Sequence, residues 1–228
     1  VDAGVGGAVP ALVQNGVRRC RRAHALRGPS GASGDGQVSA SRGSSAPTPV
    51  SEPVDIRIAT PADAEALAAL AERTFRDTFA AYNADDDMEA YVGESFSLDR
   101  MRAELADGAN TFLVAFVGGG DSPAGYAKLR TGIAEPCVTG PAPVELQRIY
   151  VDRSAVGRGV GAALMRASLE AARDAGHRTL WLGVWERNVR AIAFYAQWGY
   201  ATVGEHLFRL GSNEQRDLIM ARPVAAEA

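Results

Sequence analysis

The stretch that decides the fold is DRSAVGRGVGAA, residues 152–163, in which every second position from 157 to 161 is glycine. An apolar run typical of a strand precedes it, and an apolar run typical of a helix follows it. The first N–H groups of a helix lack partners within the helix and carry a partial positive charge, and glycine lets the backbone close around an anion. The stretch therefore predicts a phosphate-binding loop, unless the glycines serve only a tight turn and close packing.

The glycine spacing also fits a second kind of phosphate site. Gly157-x-Gly159-x-x-Ala162 passes a loose dinucleotide-binding fingerprint, and Glu186 follows Gly161 by 25 residues, where such a fold places its ribose-binding acid. A dinucleotide-binding unit should begin near the start of its domain, whereas three strand-like segments of a hairpin type precede this loop. No Gly-Lys-Ser/Thr follows, which excludes a Walker loop. The residues alone leave the dinucleotide-binding oxidoreductase open as an alternative.

Composition narrows the class of protein. Of 228 residues, 46% are hydrophobic, which is enough for a packed core of ordinary size. The formal net charge of −3 argues against nucleic acid as a partner, and no apolar run approaches the roughly 20 residues of a membrane span. Cys20 and Cys137 belong to no CxxC pair or histidine cluster, so we expect no metal site and predict reduced thiols in a cytoplasmic protein.

The chain divides near residue 53. Residues 1–53 are rich in Gly, Ala, Ser and Pro and contain no aromatic residue, so they are predicted to form a disordered tail. Because the chain opens with Val and its first methionine is Met88, we hypothesise that this tail is not part of the native protein and that the true start lies near residue 50. Residues 54–228 are predicted to form the globular domain, with 18 basic and 24 acidic side chains.

The pattern of apolar residues in this domain predicts an α/β fold. Its element order is β-α-α-β-β-β-α-β-α-β-β, with Thr60 and Ser97 as helix caps and a hairpin loop at residues 118–122. We expect a mixed and mostly antiparallel sheet of six to seven strands, flanked by about four helices. A parallel crossover is expected only around the helix that the glycine loop opens.

Two longer stretches carry a resemblance to a known family. IYVDRSAVGRGVGAALM (residues 149–165) and LGVWERNVRAIAFYAQWGY (residues 182–200) resemble the acetyl-CoA motifs of the GNAT acyltransferase superfamily. ERTFRDTFAAYN, MEAY, AGYAKL and GEHLFRLGSNEQRDLIM resemble the PaiA-type spermidine/spermine acetyltransferases, so that the likeness extends from about residue 56 to 222. The resemblance implies a GNAT fold for residues 54–228 and acetyl-CoA as the co-substrate.

The resemblance implies a set of cofactor contacts. The strand before the loop would line the pantetheine arm, the backbone amides of the loop would take the pyrophosphate, and one asparagine would contact the arm. These residues are Ile149, Tyr150 and Val151, then Gly157, Arg158, Gly159, Val160, Gly161 and Ala162, and finally Asn188. Val156 stands where the family has Gln or Arg, and Arg153 or Arg158 would supply the missing charge. Asn188 on its own is also typical of a helix N-cap.

The resemblance also implies two catalytic residues. Tyr195 matches the tyrosine that gives its proton to the departing CoA thiolate, although its helical spacing is equally that of a core aromatic. Glu145 matches the carboxylate that takes a proton from the acceptor amine, and a period of two would place it on one strand face with Ile149 and Val151. A salt bridge with Arg148 is the alternative role for Glu145.

The implied activity is transfer of an acetyl group to a primary amine, a polyamine such as spermidine or spermine, by direct attack in a ternary complex. Candidate acceptor-binding residues are Phe79, Tyr82, Glu186 and His206, and acids at residues 85–89 would attract a polycation. The alternative is a non-catalytic acyl-CoA-binding sensor, suggested by Val156 and by Gln147, which stands where many related sequences have a second acid. The last two strands are candidates for pairing two chains into a homodimer.

Overall fold

A single mixed sheet forms the centre of the computed structural model, which describes residues 21–22, 52–210 and 213–224. Its strands lie in the spatial order β6-β7-β5-β4-β3-β2-β1, and every neighbouring pair is antiparallel except β4 with β5. The predicted sheet, including the single parallel crossover, is therefore confirmed. The strands are β1 Val54–Ile58, β2 Asn110–Val117, β3 Gly125–Arg130, β4 Pro143–Val151, β5 Thr179–Trp185, β6 Ala201–Leu210 and β7 Asn213–Pro223.

In the part of the chain that the structure describes, five α-helices cover the two faces of the sheet. Three of them lie between β1 and β2 in sequence, where the predicted order had two, because the chain becomes extended at Asn83 and starts a new helix at Asp85. These three pack on one face, and the other two pack on the opposite face. The helices are α1 Ala64–Phe79, α2 Asp85–Ser95, α3 Leu98–Ala106, α4 Val160–Asp174 and α5 Val189–Gln197.

Both predicted helix caps are present. Thr60 is followed by a 3₁₀ turn at Pro61–Asp63, and the Thr60 N–H donates to Asp63 Oδ2 at 2.7 Å before α1 begins. The Arg100 N–H donates to Ser97 Oγ at 3.3 Å at the start of α3. These bonds satisfy N–H groups that the first turn of a helix leaves without an intrahelical acceptor.

The predicted boundary near residue 53 stays a prediction, because almost all of the tail lies outside the described residues. Of the tail, Arg21–Arg22 forms a two-residue strand antiparallel to β6, at Glu205 and Gly204. Cys137 is buried and disulfide-bonded, so the prediction of a reduced thiol is wrong for this residue. Its partner lies outside the described part of the chain. The distance between the two cysteines along the sequence was a poor guide to disulfide formation, because Arg21–Arg22, which precedes β1, pairs with β6.

Two further properties of the described ranges bear on function. Within residues 52–210 and 213–224, no helix combines the length and apolar character needed to cross a bilayer. The same part of the chain contains no group of three or more His, Cys, Asp and Glu side chains arranged to hold a metal ion.

A β-bulge changes which side chains of β4 share a face. Lys128 pairs with Arg148 and Leu129 pairs with Leu146, so Gln147 is an extra residue in β4. Beyond the bulge the alternation is shifted by one position.

Because of this shift, Glu145 does not share a strand face with Ile149 and Val151, contrary to the prediction. Ile149 and Val151 join the core against α4, whereas Glu145 lies on the opposite face, where it is ion-paired to Arg130. The period-two prediction is therefore wrong, because it assumed an uninterrupted strand.

The parallel ladder between β4 and β5 is short. Only residues 143–145 pair with residues 179–181, although β4 continues to Val151 and β5 to Trp185. The two strands diverge beyond that point, and we call the gap between residues 146–151 and 182–185 the wedge. The wedge leaves the facing backbone edges of two central strands open to another group.

Gly125 tests the packing of α4 against the sheet. A Cβ at this position would lie 2.7 Å from the Tyr150 carbonyl oxygen and 3.0 Å from Val160, so Gly125→Ala forces backbone to move. We expect a loss of about 1–3 kcal/mol in unfolding free energy, measured by urea denaturation. Gly93→Ala is the matched control, because Gly93 is exposed in α2 with no atom within 4 Å of an added Cβ, and it should gain about 0.5–1 kcal/mol. Equal effects of both changes would contradict the packing.

Candidate functional site

A cavity lies between the glycine loop and α5. Its volume is about 390 Å³, and it is bordered by the end of β4, the loop, the first turn of α4 and one side of α5. Six of the residues predicted to bind a cofactor line it. The lining residues are Val151, Ala155, Val156, Gly157, Gly159, Val160, Gly161, Ala162, Arg190, Ala193, Phe194 and Gln197.

The glycines of the loop have different roles. Gly157 and Gly159 each have φ of +84°, a conformation that side-chain-bearing residues rarely adopt, and no atom lies within 4 Å of an added Cβ at either position. Glycine is thus required there by backbone conformation and not by crowding. Gly161 has an ordinary φ, and its added Cβ would make a normal contact of 3.7 Å with Val151.

The start of α4 presents its amides to the cavity. Gly159 is the N-cap of α4, and the first bond of the helix runs from the Ala163 N–H to the Gly159 carbonyl at 3.0 Å. The amides of Val160, Gly161 and Ala162 precede this bond, and a glycine cap has no side chain to accept from them. Three cavity-lining N–H groups at the positive end of a helix can therefore bind an anion.

The cationic side chain at the cavity is Arg190. Arg158, one of two arginines predicted to supply positive charge, is ion-paired with Glu52. Arg190 lies on α5 together with Ala193, Phe194 and Gln197, all of which line the cavity. The sequence prediction missed these four residues, although their spacing of three, four and seven places them on one helix face.

Asn188 acts as the N-cap of α5. Its Oδ1 accepts from the Ala191 N–H at 3.1 Å, and the residue does not line the described cavity. The structure therefore gives Asn188 the capping role, and a cofactor contact for it stays a prediction.

The predicted strand contacts lie beside the wedge. Ile149, Tyr150 and Val151 belong to the part of β4 that pairs with β3 but not with β5. All three side chains are buried, and Val151 also forms part of the cavity wall. The backbone edge of these residues is open toward β5, as a ligand that pairs with a strand edge requires.

Tyr195 lies buried in the core on the α5 side of the sheet. Its side chain is fully buried, with ring centroids 5.6 Å from Phe194 and 5.7 Å from Tyr200. Burial, with the neighbouring Tyr200, raises the pKa of Tyr195 well above its usual value. Among the described residues its hydroxyl has no hydrogen-bond partner, so it can donate to a group that enters the site.

Tyr195 is one of several hydroxyls at the wedge. The side chains of Tyr126 and Tyr150 are fully buried, and their ring centroids lie 5.6 Å apart. Burial raises the pKa of Tyr150 well above its usual value, and Tyr126, Tyr91 and Tyr195 add to that shift. Tyr150 thus interacts electrostatically with tyrosines from both faces of the sheet.

Glu145 is engaged in an ion pair. Its side chain is fully buried, and Arg130 Nε donates to Glu145 Oε2 at 2.8 Å. The alternative partner Arg148 instead donates to Glu104 Oε2 at 2.7 Å. The predicted base is therefore buried with a cation already on its carboxylate.

Glu104 forms the centre of a second ion-pair cluster. Lys128 Nζ lies 2.9 Å from Glu104 Oε2, and both side chains are almost fully buried. Burial acts to raise the pKa of Glu104, but Arg148 and Lys128 outweigh it and hold the pKa below its usual value. Burial, together with the charge of Arg148, lowers the pKa of Lys128 to about 7 despite its pairing with Glu104.

The four predicted acceptor residues do not form one surface. Phe79 is a core residue beside Phe75, whereas Tyr82 is 57% exposed and contacts Trp185 edge-on with centroids 4.9 Å apart. Glu186 is partly exposed and is ion-paired with Arg216. The Phe79 ring centroid lies 6.1 Å from that of Trp185, and an acceptor contact for Phe79 stays a prediction.

The fourth predicted acceptor residue, His206, is buried between two carboxylates. Its Nδ1 lies 3.4 Å from Glu135 Oε1, and its Nε2 lies 3.7 Å from Asp217 Oδ2. Burial acts to lower the pKa of His206, but the nearby carboxylates of Asp217 and Glu135 outweigh it and raise the pKa to about 9. Sequence reasoning missed both acids: Glu135 lies in a remote part of the chain, and Asp217 lies opposite His206 on the next strand.

Comparisons with known proteins agree with this geometry. The profile of the acetyltransferase (GNAT) family matches residues 67–200. The chain is 34% identical over 154 residues to an uncharacterized N-acetyltransferase of Lactobacillus delbrueckii subsp. lactis, covering 68% of this chain and 88% of that protein. It is 35% identical over 160 residues to an uncharacterized N-acetyltransferase of Mycobacterium tuberculosis strain H37Rv, covering 70% and 97%.

Solved structures share the fold. The PaiA N-acetyltransferase of Thermoplasma acidophilum, in complex with coenzyme A, is 22% identical with a TM-score of 0.61, covering 75% of this chain and 99% of that chain. YncA of Salmonella typhimurium, with its cofactor acetyl-CoA, is 19% identical with a TM-score of 0.53, covering 77% and 96%. At these identities the likeness shows the fold alone.

The imidazolium of His206 should lose its proton at a higher pH than that of an ordinary histidine. Its pKa of about 9 exceeds its ordinary value of 6.5, so its contribution to stability is complete below pH 6.5 and is lost as the pH rises through about 9. In NMR titrations its ring signals should stay those of imidazolium through pH 8, with His206→Gln used for assignment. Asp217→Asn removes one of the two carboxylates and should lower the midpoint by roughly one unit. A wild-type midpoint at or below 6.5 would contradict the ion-paired arrangement.

Proposed function

Because the chain belongs to the acetyltransferase (GNAT) family and is an N-acetyltransferase, we propose that its donor is acetyl-CoA and its acceptor a cationic primary amine of the polyamine class. The observation that carries the donor assignment is the anion-binding start of α4 at the wall of a cavity that continues beside the wedge. The observation that carries the acceptor assignment is the acidic character of the domain, described below.

The residues at the cavity fit coenzyme A. The amides of Val160, Gly161 and Ala162 would hold the pyrophosphate, and Arg190 would add positive charge where Val156 departs from the family pattern. The open edge of β4 in the wedge would pair with the amides of the pantetheine arm. When bound, acetyl-CoA supplies an activated acetyl thioester.

Tyr195 is the residue that we assign to proton donation. Its buried hydroxyl keeps its proton at neutral pH, because burial raises the pKa of Tyr195 well above its usual value. A leaving thiolate is a partner that a buried phenol can protonate when the two atoms are within hydrogen-bond reach. The dry surroundings of Tyr195 also keep water from competing for the acetyl group. Direct transfer to the amine then requires no covalent acyl-enzyme.

The acceptor amine has to lose a proton before it attacks. Resemblance assigns this step to Glu145, but the Arg130 ion pair and complete burial of Glu145 favour a structural role for it. We therefore leave Glu145 out of the proposed machinery and assign the proton of the ammonium group to water, which leaves the neutral amine to attack the thioester.

The charge of the domain supports a polycationic acceptor. Residues 54–228 carry more acidic than basic side chains, and three consecutive aspartates, Asp85 to Asp87, form the first turn of α2. Glu89 on the same helix is already ion-paired with Arg76. An acidic surface raises the local concentration of a cationic substrate, and this effect weakens with salt.

Gly159→Ala tests the proposed pyrophosphate cradle, which is formed by the backbone amides of residues 160–162 at the start of α4. The substitution forces a side-chain-bearing residue into φ of +84° at the cap of α4, so the affinity for CoA should fall roughly tenfold or more, measured by calorimetry. Gly132→Ala is the matched control, because Gly132 has φ of +82° and equally open space but lies outside the cavity. It should lose similar stability and keep the affinity for CoA. Equal affinities of the two variants would contradict the proposed cradle.

Tyr195→Phe tests the proton donor. Its kcat for release of CoA thiol with spermidine should fall by roughly 10²- to 10⁴-fold, since general acid catalysis contributes about that factor, while CoA still binds. Tyr200→Phe is the matched control, because Tyr200 is an equally buried neighbour whose hydroxyl lies 3.6 Å from Met165 Sδ, and its kcat should change little. Wild-type protein that binds CoA but releases no thiol with any amine would instead favour the acyl-CoA-binding sensor.

A further inference from the structure

Three side chains form a row across neighbouring strands on the α1–α3 side of the sheet. Trp185 on β5 pairs with Asp217 on β7, and Asp217 pairs with His206 on β6. Directly opposite residues of antiparallel strands point to the same face with their Cβ atoms about 5 Å apart. The row places a carboxylate between an aromatic ring and an imidazole, at the end of β5 that borders the wedge.

We propose that Asp217 binds the ammonium group of the acceptor amine, while His206 and Glu135 hold its carboxylate in position. This inference rests on the proposed function, because it names the residue that would recognise the amine. It adds Asp217 to the residues proposed for acceptor binding, and it does not assign to Asp217 the role of base that resemblance gave to Glu145.

The hydrogen-bonding state of Asp217 is the first argument. Its side chain is 1% exposed, and within the described residues neither carboxylate oxygen has a hydrogen-bond partner. The nearest cation, His206 Nε2, lies 3.7 Å away, beyond hydrogen-bond distance. A buried carboxylate with unmade hydrogen bonds is costly, and an ammonium offers three donors that would satisfy it.

The balance of charge is the second argument. Glu135 and Asp217 are two buried carboxylates that share one imidazolium, so the group has a net negative charge when all three are ionised. Both ring nitrogens of His206 face a carboxylate, which leaves neither nitrogen to ligate a metal. An ammonium ion beside Asp217 would therefore be attracted by both carboxylates.

The surroundings of Asp217 suit an alkylammonium ion. Trp185 lies directly beside it, and the half-exposed ring of Tyr82 packs edge-on against Trp185 at the surface. Aromatic rings attract cations and pack against methylene groups, so this pair would border the entry of an aliphatic amine.

The site lies on the opposite face of the sheet from the proposed proton donor. Trp185, which pairs with Asp217, belongs to the core on the α1–α3 side, and Tyr195 belongs to the core on the α4–α5 side. The wedge beside Trp185 separates the ammonium site from Tyr195. An amine held at Asp217 would be directed toward the atoms that Tyr195 serves.

The test compares Asp217→Asn with the wild-type protein. The variant should raise the KM for spermidine by about tenfold or more and should keep its affinity for CoA, measured by calorimetry. Titration of spermidine into CoA-loaded protein should show the same loss without any turnover. Glu205→Gln is the matched control, because it removes an acid next to His206 whose partner is the surface residue Arg216, and its KM should stay within about twofold.

A second variant separates the positioning of the Asp217 carboxylate from its charge. Glu135→Gln leaves Asp217 intact but removes one of the two carboxylates on His206, so its effect on the KM for spermidine should be smaller than that of Asp217→Asn. An unchanged KM in Asp217→Asn, with wild-type protein active on spermidine, would overturn the assignment of Asp217 and leave the proposed function standing. Wild-type protein that fails to bind CoA would overturn the proposed function itself.

Discussion

The divergence of β4 from β5 is the constraint on which the site depends. Hydrogen bonding between the two strands ends at Glu145 and Trp181, yet both strands continue, each held by its other neighbour. The resulting wedge exposes backbone edges in the middle of the sheet, where buried N–H and C=O groups normally have partners. Helix α4 begins at one end of the wedge, and tyrosine hydroxyls lie within it. A ligand entering there would meet an anion cradle, a strand edge and a proton donor in succession.

Local sequence signals predicted the parts of this arrangement that are local in the structure. The alternation of Gly157 and Gly159 indicated a loop with positive φ before a helix, and both residues have that conformation. Apolar periodicity was sufficient to predict the strands and the single parallel crossover, because each strand buries the face that carries its apolar residues. Tyr195 could be singled out only through resemblance, since its spacing is that of any core aromatic.

Pairings between distant segments could not be read from the sequence. The bulge at Gln147 depends on how β4 pairs with β3, and it moved Ile149 to the opposite face from Glu145. Glu135 lies far from His206 along the chain, whereas Asp217 lies opposite His206 on the neighbouring strand. Only the folded sheet brings the three side chains together. Such side chains carry no periodic signal, because their position follows from strand order and register.

The ion pair between Lys128 and Glu104 has a consequence for the protein's own chemistry. Lys128 is the single lysine of the sequence, beside 23 arginines, and its amine is almost fully buried. Because burial lowers the pKa of Lys128 to about 7, its amine is more readily deprotonated than that of a surface lysine. Only packing then shields this amine from acylating reagents, and arginine is far less reactive toward thioesters. A protein that handles activated acetyl groups thereby offers them no exposed lysine of its own.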